Sequence, residues 1–455
     1  MPGTPGYNVA VTVRLEGPLD IAVLDRCVQQ IVRRHEALRT WFTDVDGQPV
    51  PVVAPQLTIP LPVRDVAGHE DALQLVHDAA TTPFDLTRGP LLRGQIIRLA
   101  PQHHLFALVV HHIVCDGWSA RLFLRELAVL YRAFRQDAAS PLPALPLQYS
   151  EVARDQQRRL TGGLLRKELR YWRGVLANAP ATSTLVPDQP GPPATAFVGL
   201  RLPFALPAQL CADLGALARQ RRSTPFMVLA AGLIALLGSY TDQDDLVIGI
   251  PVANRSRVET EDMIGMFVNT LPLRVSVAGE PSFGGLLHRV RQSMLATLAH
   301  QEIPFDRVVA DLRQRRDPGR NPLFQILLAV QDIPITVPDI PGLEVTSVAF
   351  DGISGFDLPL CTATLDLTIC LSQDGTGLAG HVELNSARYR ADTVRLLLDR
   401  YAQLLHQVVR DPDLPLRDLL RGSTEPRPAG QAPIDLALRA LRLAHPGRVG
   451  RRQLR

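Results

Sequence analysis

The sequence predicts an α/β chain with mixed sheets, divided into two α/β halves. Three observations carry this. Strand-like and helix-like segments are interspersed without the strict βαβ alternation of a parallel doubly wound sheet. The stretch HLFALVVHHIV (104–114) is almost continuously apolar, as a central strand is. Residues 180–196, PATSTLVPDQPGPPATA, are rich in Pro, Ser, Thr and Gly and read as a linker, after which the pattern restarts. The expected plan is a first half over 1–180, a linker over 181–196, a second half over 197–420 and an Arg-, Pro- and Ala-rich tail over 421–455.

Taken in order, YNVAVTVRLEG (7–17) alternates apolar and polar residues and reads as a strand. Residues 18–42 carry Leu24, Val28, Ile31, Val32 and Leu38 at helical spacing, which predicts one amphipathic helix starting near Leu19 or Asp20. PVPVVAP (49–55) is a short extended segment, 69–80 a helix, and LLRGQIIRLA (91–100) a strand ahead of the central one. A helix over 119–136 sets Leu122, Leu124, Leu127, Leu130 and Phe134 along one broad face. After the Pro-rich 141–146, a single helix is expected over 150–178. Beyond the linker come a strand, a helix, a second helix over 225–240, a strand over 244–253, mixed elements and a closing helix over 393–409, with a further helix candidate at 434–444. The apolar run PFMVLAAGLIALL (225–237) is too short to cross a bilayer and reads as a buried helix.

Composition narrows the function. Apolar residues make up 46% and charged residues 20%, which excludes collagen-like, coiled-coil and disordered readings. The charge balance, 48 basic less 45 acidic, is +3 and the basic residues are scattered, so a dedicated nucleic-acid binder is not expected. The five cysteines, Cys27, Cys115, Cys211, Cys361 and Cys370, are odd in number, widely spaced and without a CxxC pair. That argues against a disulfide framework or structural zinc site and for a reducing, cytoplasmic setting. No basic stretch followed by an apolar core opens the chain, so neither a secretory signal nor a membrane partner is expected.

The sharpest local feature is VVHHIVCDGWS (109–119). An apolar strand ends in two adjacent histidines, and Asp116 and Gly117 follow just before a helix. Neighbouring strand residues face opposite sides, so only one of His111 and His112 addresses a given site. A neutral imidazole suits proton acceptance near pH 7. Asp116 can hold the loop by an ion pair, Gly117 permits close backbone approach or an unusual φ, and the helix start offers unpaired N–H groups. A histidine pair at a strand end can also be a satisfied core feature, but the HHxxxDG spacing at a strand-to-helix junction favours chemistry. Metal binding by His103, His104, His111 and His112 is not expected, since no carboxylate or cysteine stands at ligand spacing with them.

VHHIVCDGWS resembles the signature of nonribosomal peptide synthetase condensation domains, within the wider chloramphenicol-acetyltransferase-like acyltransferase superfamily. HHxxxDG alone also occurs in epimerisation domains and in carrier- or CoA-dependent acyltransferases. Four further blocks favour the peptide-bond-forming branch: RHEALRTWF (34–42), MIGMFVNTLPLR (263–274), HQEIPFDRVV (300–309) and RDPGRNPLFQ (316–325) resemble the family's blocks and stand in its order. LDLTICLSQDGTGLAGHVELNSARY (365–389) resembles its bridging segment, with an NSARYRADT ending in place of the usual leucine- or phenylalanine-rich one.

The resemblance implies two acyltransferase-like lobes in a V-shaped pseudo-dimer, with the active-site tunnel between them. It implies donor and acceptor carrier proteins that deliver substrates on phosphopantetheine arms, no cofactor bound by the chain itself, and a monomer. His112 matches the histidine that faces the tunnel, as general base on the attacking amine or as the group that positions it. His111 faces away and is structural. Asp116 pairs with an arginine, Arg255 first and Arg274 second. The Gly117 N–H is an oxyanion donor, Trp118 and Ser119 shape the wall beside it, and Asn269 lies near the tunnel. Glu36 and Arg39 belong to a structural ion-pair network, Asp306 to a Pro304-fixed turn, and RNPLFQ packs ahead of a strand. Two other readings use the same motif: a freestanding acyltransferase working on a soluble amine or alcohol, and a non-catalytic recruitment domain. The family's SxAQxRLW-type segment ahead of the first strand has no counterpart here, and no adenylation- or carrier-type segment follows residue 420.

Overall fold

The computed structural model describes residues 3–180, 185–188, 199–241, 243–312, 321–331, 340, 342–347, 365–373 and 377–421. Residues 422–455 of the tail, with the helix candidate at 434–444, most of the linker, Cys361 and residues 316–320 of the RDPGRNPLFQ block lie outside them.

Strand β6 (His103–His111) organises the first of two units. Every residue from His104 to His111 is buried, because alternate side chains enter two different cores. Phe106, Leu108 and Val110 join the core under α1 (Ile21–Arg34) and α3 (Gly117–Phe134). Leu105, Ala107 and Val109 join a smaller one under α2 (His69–Thr81). Period-two alternation thus reads as a continuous apolar run when both faces are covered. Strand β6 is the middle of a five-stranded sheet with β1 (Asn8–Glu16), β4 (Val63–Asp65), β5 (Leu92–Ala100) and β11 (Glu344–Ser347), in the order β11-β1-β6-β5-β4. All pairs are antiparallel except β4 with β5, so the sheet is mixed. Strands β2 (Thr40–Val45) and β3 (Gln48–Val53) form a separate hairpin.

The second unit holds a six-stranded sheet in the order β7-β13-β12-β10-β8-β9. Its strands are β7 (Gly199–Pro207), β8 (Asp245–Val252), β9 (Asn269–Ser276), β10 (Ile326–Gln331), β12 (Leu367–Gln373) and β13 (Gly377–Asn385). Strand β10 pairs in parallel with β12 and β8, while β13 pairs antiparallel with β12 and β7. Its helices are α6 (Ala208–Gln220), α7 (Pro225–Tyr240), α8 (Phe283–Leu298), α9 (Phe305–Asp311), α10 (Ala391–Arg410) and α11 (Leu416–Arg421). Helix α7 is the expected buried helix: Thr224 caps it, Pro225 opens it, and Met227–Leu237 are buried all round. Gly232 lets α10 approach, since a Cβ there would lie 2.9 Å from Leu405. Among the described residues no single helix is long and apolar enough to cross a membrane.

Three expectations need correction. The helix expected over 18–42 stops at Arg34, where His35 turns extended and buries its imidazole; a short 3₁₀ turn over Glu36–Arg39 and β2 follow. The single helix over 150–178 is two, α4 (Tyr149–Arg159) and α5 (Gly162–Leu176): Leu160 leaves the helical region at ψ 54°, and Gly162 opens α5 with a left-handed φ of 54°. The units are not contiguous halves. Of the described residues, the first comprises 3–167, Val252–Asn269 and, with β11, 340 and 342–347, and the second the others, so the boundary near 180 falls instead inside α5. A chain segment joins the unit with which it packs, whatever its place in the sequence.

Candidate active site

The HHxxxDG turn is built at the end of β6. His111 closes the strand, His112–Val114 form a single 3₁₀ turn, and Asp116 caps α3. The Asp116 side chain accepts the Ser119 N–H at 2.8 Å, as an N-cap does. Gly117 is the first residue of the helix, where the N–H has no intrahelical acceptor. Its φ is not among the positive ones, so the unusual-φ expectation gives way to ordinary helical entry.

His111 is buried between the Tyr7 and Phe84 rings, and its Nδ1 accepts the Ile113 N–H at 3.1 Å. Burial, helped by the neighbouring His112, pulls its pKa down to about 4. The ring is therefore neutral with its proton on Nε2, and it pins the turn that carries His112. His112 is half-buried; its backbone N–H donates to Tyr7 O at 2.7 Å. Its Nδ1 is buried without a hydrogen-bond partner among the described residues.

Asp116 is fully committed. Arg255 Nη2 donates to Oδ1 at 3.0 Å and Oδ2 at 3.2 Å, and the Phe267 N–H donates to Oδ2 at 3.0 Å. Arg255 also donates to Ser119 Oγ at 2.9 Å, Met263 O at 2.7 Å and Thr260 O, and lies over the Phe267 ring. The side chains of Asp116 and Arg255 are 0% and 2% exposed. Burial pulls the guanidinium below its usual range and Asp116 opposes that, as a desolvated ion pair requires. Arg274 is elsewhere: it pairs with Asp245 and donates to Val175 O and Ala177 O.

Ser119, expected on a wall, instead sits inside this cluster: Oγ donates to Gly265 O at 2.9 Å and accepts the Gly265 N–H at 3.0 Å. The Asp116 N–H donates to the same carbonyl at 3.2 Å. Trp118 is half-buried, with Nε1 donating to Glu261 O at 2.9 Å. Asn269 opens β9, two residues past Phe267. Tyr149 packs on Gly265, where a Cβ would lie 2.3 Å from its ring, and donates to Met266 O at 2.7 Å. Burial first, then Asp116, pushes its phenol up to about 12, so it remains a donor.

The ion-pair network of the RHEALRTWF block needs correcting. Glu36 accepts the Ser150 N–H and Arg39 donates to Ala54 O, whereas the buried pairs are Arg34–Glu126 at 2.9 Å and His35–Glu126 at 3.0 Å. In the second unit Pro304 caps α9, which places Asp306 in its first turn; His300 stacks on Tyr171 and bonds Glu168 at 2.7 Å. Sequence reasoning gave no role to Gly265, Phe267 and Tyr149, which act through backbone groups or packing, although the first two stand in the MIGMFVNTLPLR block. The aspartate directly before a helix, Asp116, was a readable N-cap signal.

Fold and turn define an acyltransferase-type domain with HHxxxDG at a strand-to-helix junction. The family model of the condensation domain matches residues 1–426. The chain is 37% identical over 414 residues to a linear gramicidin synthase component of Brevibacillus parabrevis, covering 90% of this chain and 8% of that one. It is 38% identical over 422 residues to phosphinothricin tripeptide synthetase PhsB of Streptomyces viridochromogenes, covering 91% and 35%. Among solved structures, the X-domain from teicoplanin biosynthesis matches with a TM-score of 0.82 at 26% identity, covering 91% and 92% of the two chains. The first condensation domain of the calcium-dependent antibiotic synthetase, in complex with a substrate analogue, matches with 0.75 at 26%, covering 91% and 93%. The chain belongs to the condensation-domain family, whose members here are parts of nonribosomal peptide synthetases. It spans only 8% and 35% of the two synthetase chains named above.

Proposed function

We propose that this domain forms an amide bond between two carrier-bound substrates. The amine of an aminoacyl group on a downstream phosphopantetheine arm attacks the thioester carbonyl of an upstream acyl or peptidyl group. The C–N bond forms, the C–S bond breaks, and the amine proton ends on the released thiol. The observation that carries this reading is the contrast within one turn. Asp116 is saturated by Ser119, Phe267 and Arg255, so it acts as neither acid nor base. His112, four residues earlier, is half-exposed, and its Nδ1 finds no hydrogen-bond partner among the described residues.

Among the described residues no carboxylate or carbonyl stands on the His112 Nδ1 to steady an imidazolium, the partner that a histidine base ordinarily has. That favours His112 as the group that orients the amine by a hydrogen bond. The Gly117 N–H, at the helix start, donates to the developing oxyanion.

The test is intact-protein mass spectrometry with two loaded carrier proteins beside a His112→Ala control. Transfer of the donor mass to the acceptor carrier, lost in the control, supports the reading. Transfer only to a soluble amine or alcohol makes the protein a freestanding acyltransferase. A recruitment role is the other reading: one similar structure, at a TM-score of 0.81 and 26% identity, is a complex of the teicoplanin X-domain with OxyB. Partner binding that is indifferent to His112→Ala, with no transfer, would favour it.

A further inference from the structure

We propose that His35 is a positioning residue of the site: its Nδ1 lone pair seats the Ile264 amide and thereby holds Gly265 and Phe267 on Asp116 and Ser119. The imidazole is completely buried at the end of α1. It touches two groups of fixed polarity. The Ile264 N–H, 3.2 Å from Nδ1, can only donate. Glu126 Oε2, 3.0 Å from Nε2, accepts, while Oε1 of the same carboxylate takes the Arg34 Nε–H at 2.9 Å. The two contacts dictate one neutral tautomer, with the proton on Nε2 and the lone pair on Nδ1.

The consequence runs along the backbone. Ile264 is bonded to Gly265, whose carbonyl accepts from the Asp116 N–H and from Ser119 Oγ and whose N–H donates to Ser119 Oγ. Two residues on, the Phe267 N–H donates to Asp116 Oδ2. Glu126 lies on α3, the helix that Asp116 caps. His35 therefore ties the middle of α3 to the strip that locks its first turn, the turn that follows His112. Without the Nδ1 acceptor a buried N–H is orphaned, and the strip can relieve that cost only by moving. Displacing a catalytic group by a fraction of an ångström lowers the rate without abolishing binding.

The inference rests on the proposed condensation activity for its kinetic consequence, and the test separates the two. An asparagine or a glutamine in place of His35 mimics one ring nitrogen each, so the pair to compare is His35→Asn and His35→Gln. Asparagine keeps an acceptor where Nδ1 stands; glutamine keeps a donor to Glu126 and loses that acceptor. Hydrogen exchange of the peptide over 260–268 should quicken in H35Q at least about tenfold more than in H35N, at matched thermal stability. In the carrier-transfer assay H35Q should lose about tenfold in kcat with little change in KM, and H35N should keep the larger part of the rate. Equal exchange in the two variants overturns the inference whether or not the wild type transfers acyl groups. A wild type without transfer overturns the activity reading alone, because exchange still reports on the Ile264 seat.

Discussion

Asp116→Ala removes the acceptor of four hydrogen bonds and strands Arg255, a guanidinium whose side chain is 2% exposed. Losing one partner of a buried pair costs roughly 3–5 kcal/mol, since the other charge remains desolvated. Arg255 keeps neutral acceptors in Thr260 O, Met263 O and Ser119 Oγ, so the lower end applies, about 3 kcal/mol. For a urea m-value of about 2–3 kcal/mol/M this lowers the unfolding midpoint by about 1–1.5 M. The assay is urea unfolding followed by far-UV circular dichroism and by tryptophan fluorescence, to which Trp118 beside Arg255 contributes. In the double variant Asp116→Ala/Arg255→Met the unpaired charge is gone, and about 1–2 kcal/mol of the loss should return. A single-variant shift below about 0.3 M, or a double variant as unstable as the sum of the singles, would refute the argument that the pair is held by mutual desolvation.

Three further outcomes follow from particular contacts. His111 has a folded pKa of about 4, below the unfolded value of about 6.5, so the unfolded chain binds the extra proton; stability should be full above about pH 6.5 and fall as pH drops toward 4. Melting temperatures at pH 7.5 and 5.0 should therefore differ less in His111→Gln than in wild type. Gly265→Ala puts a Cβ 2.3 Å from the Tyr149 ring and should cost about 1–3 kcal/mol; Tyr149→Leu in the same chain should recover part of it, read as a double-mutant cycle in urea. Arg255→Lys should not replace arginine, because one ammonium cannot reach Asp116, Ser119 and the Met263 carbonyl together; its midpoint should fall nearly as far as that of Arg255→Met.

Much of this protein was legible in its residues. Periodicity located α3 and β1, because those segments bury regular faces, and near-continuous apolar runs marked α7 and β6, which are covered on all sides. The HHxxxDG and FVNT blocks pointed to the family through residue types that carry chemistry. Local rules failed where the backbone answers to distant partners. Helix α1 ends at Arg34 because His35 is drawn inward by Glu126, 91 residues away, and by Ile264, 229 residues away. The 252–269 strip belongs to the first unit although it is flanked by strands of the second, since Arg255, Gly265 and Phe267 bond to the Asp116 turn. Which arginine meets Asp116, and that Ser119 faces inward, depend on that meeting. Side-chain type and spacing determine which segments can fold and which group can act. Only the tertiary structure decides which buried donor finds which acceptor, because an unpaired polar group costs too much to leave to sequence neighbours alone.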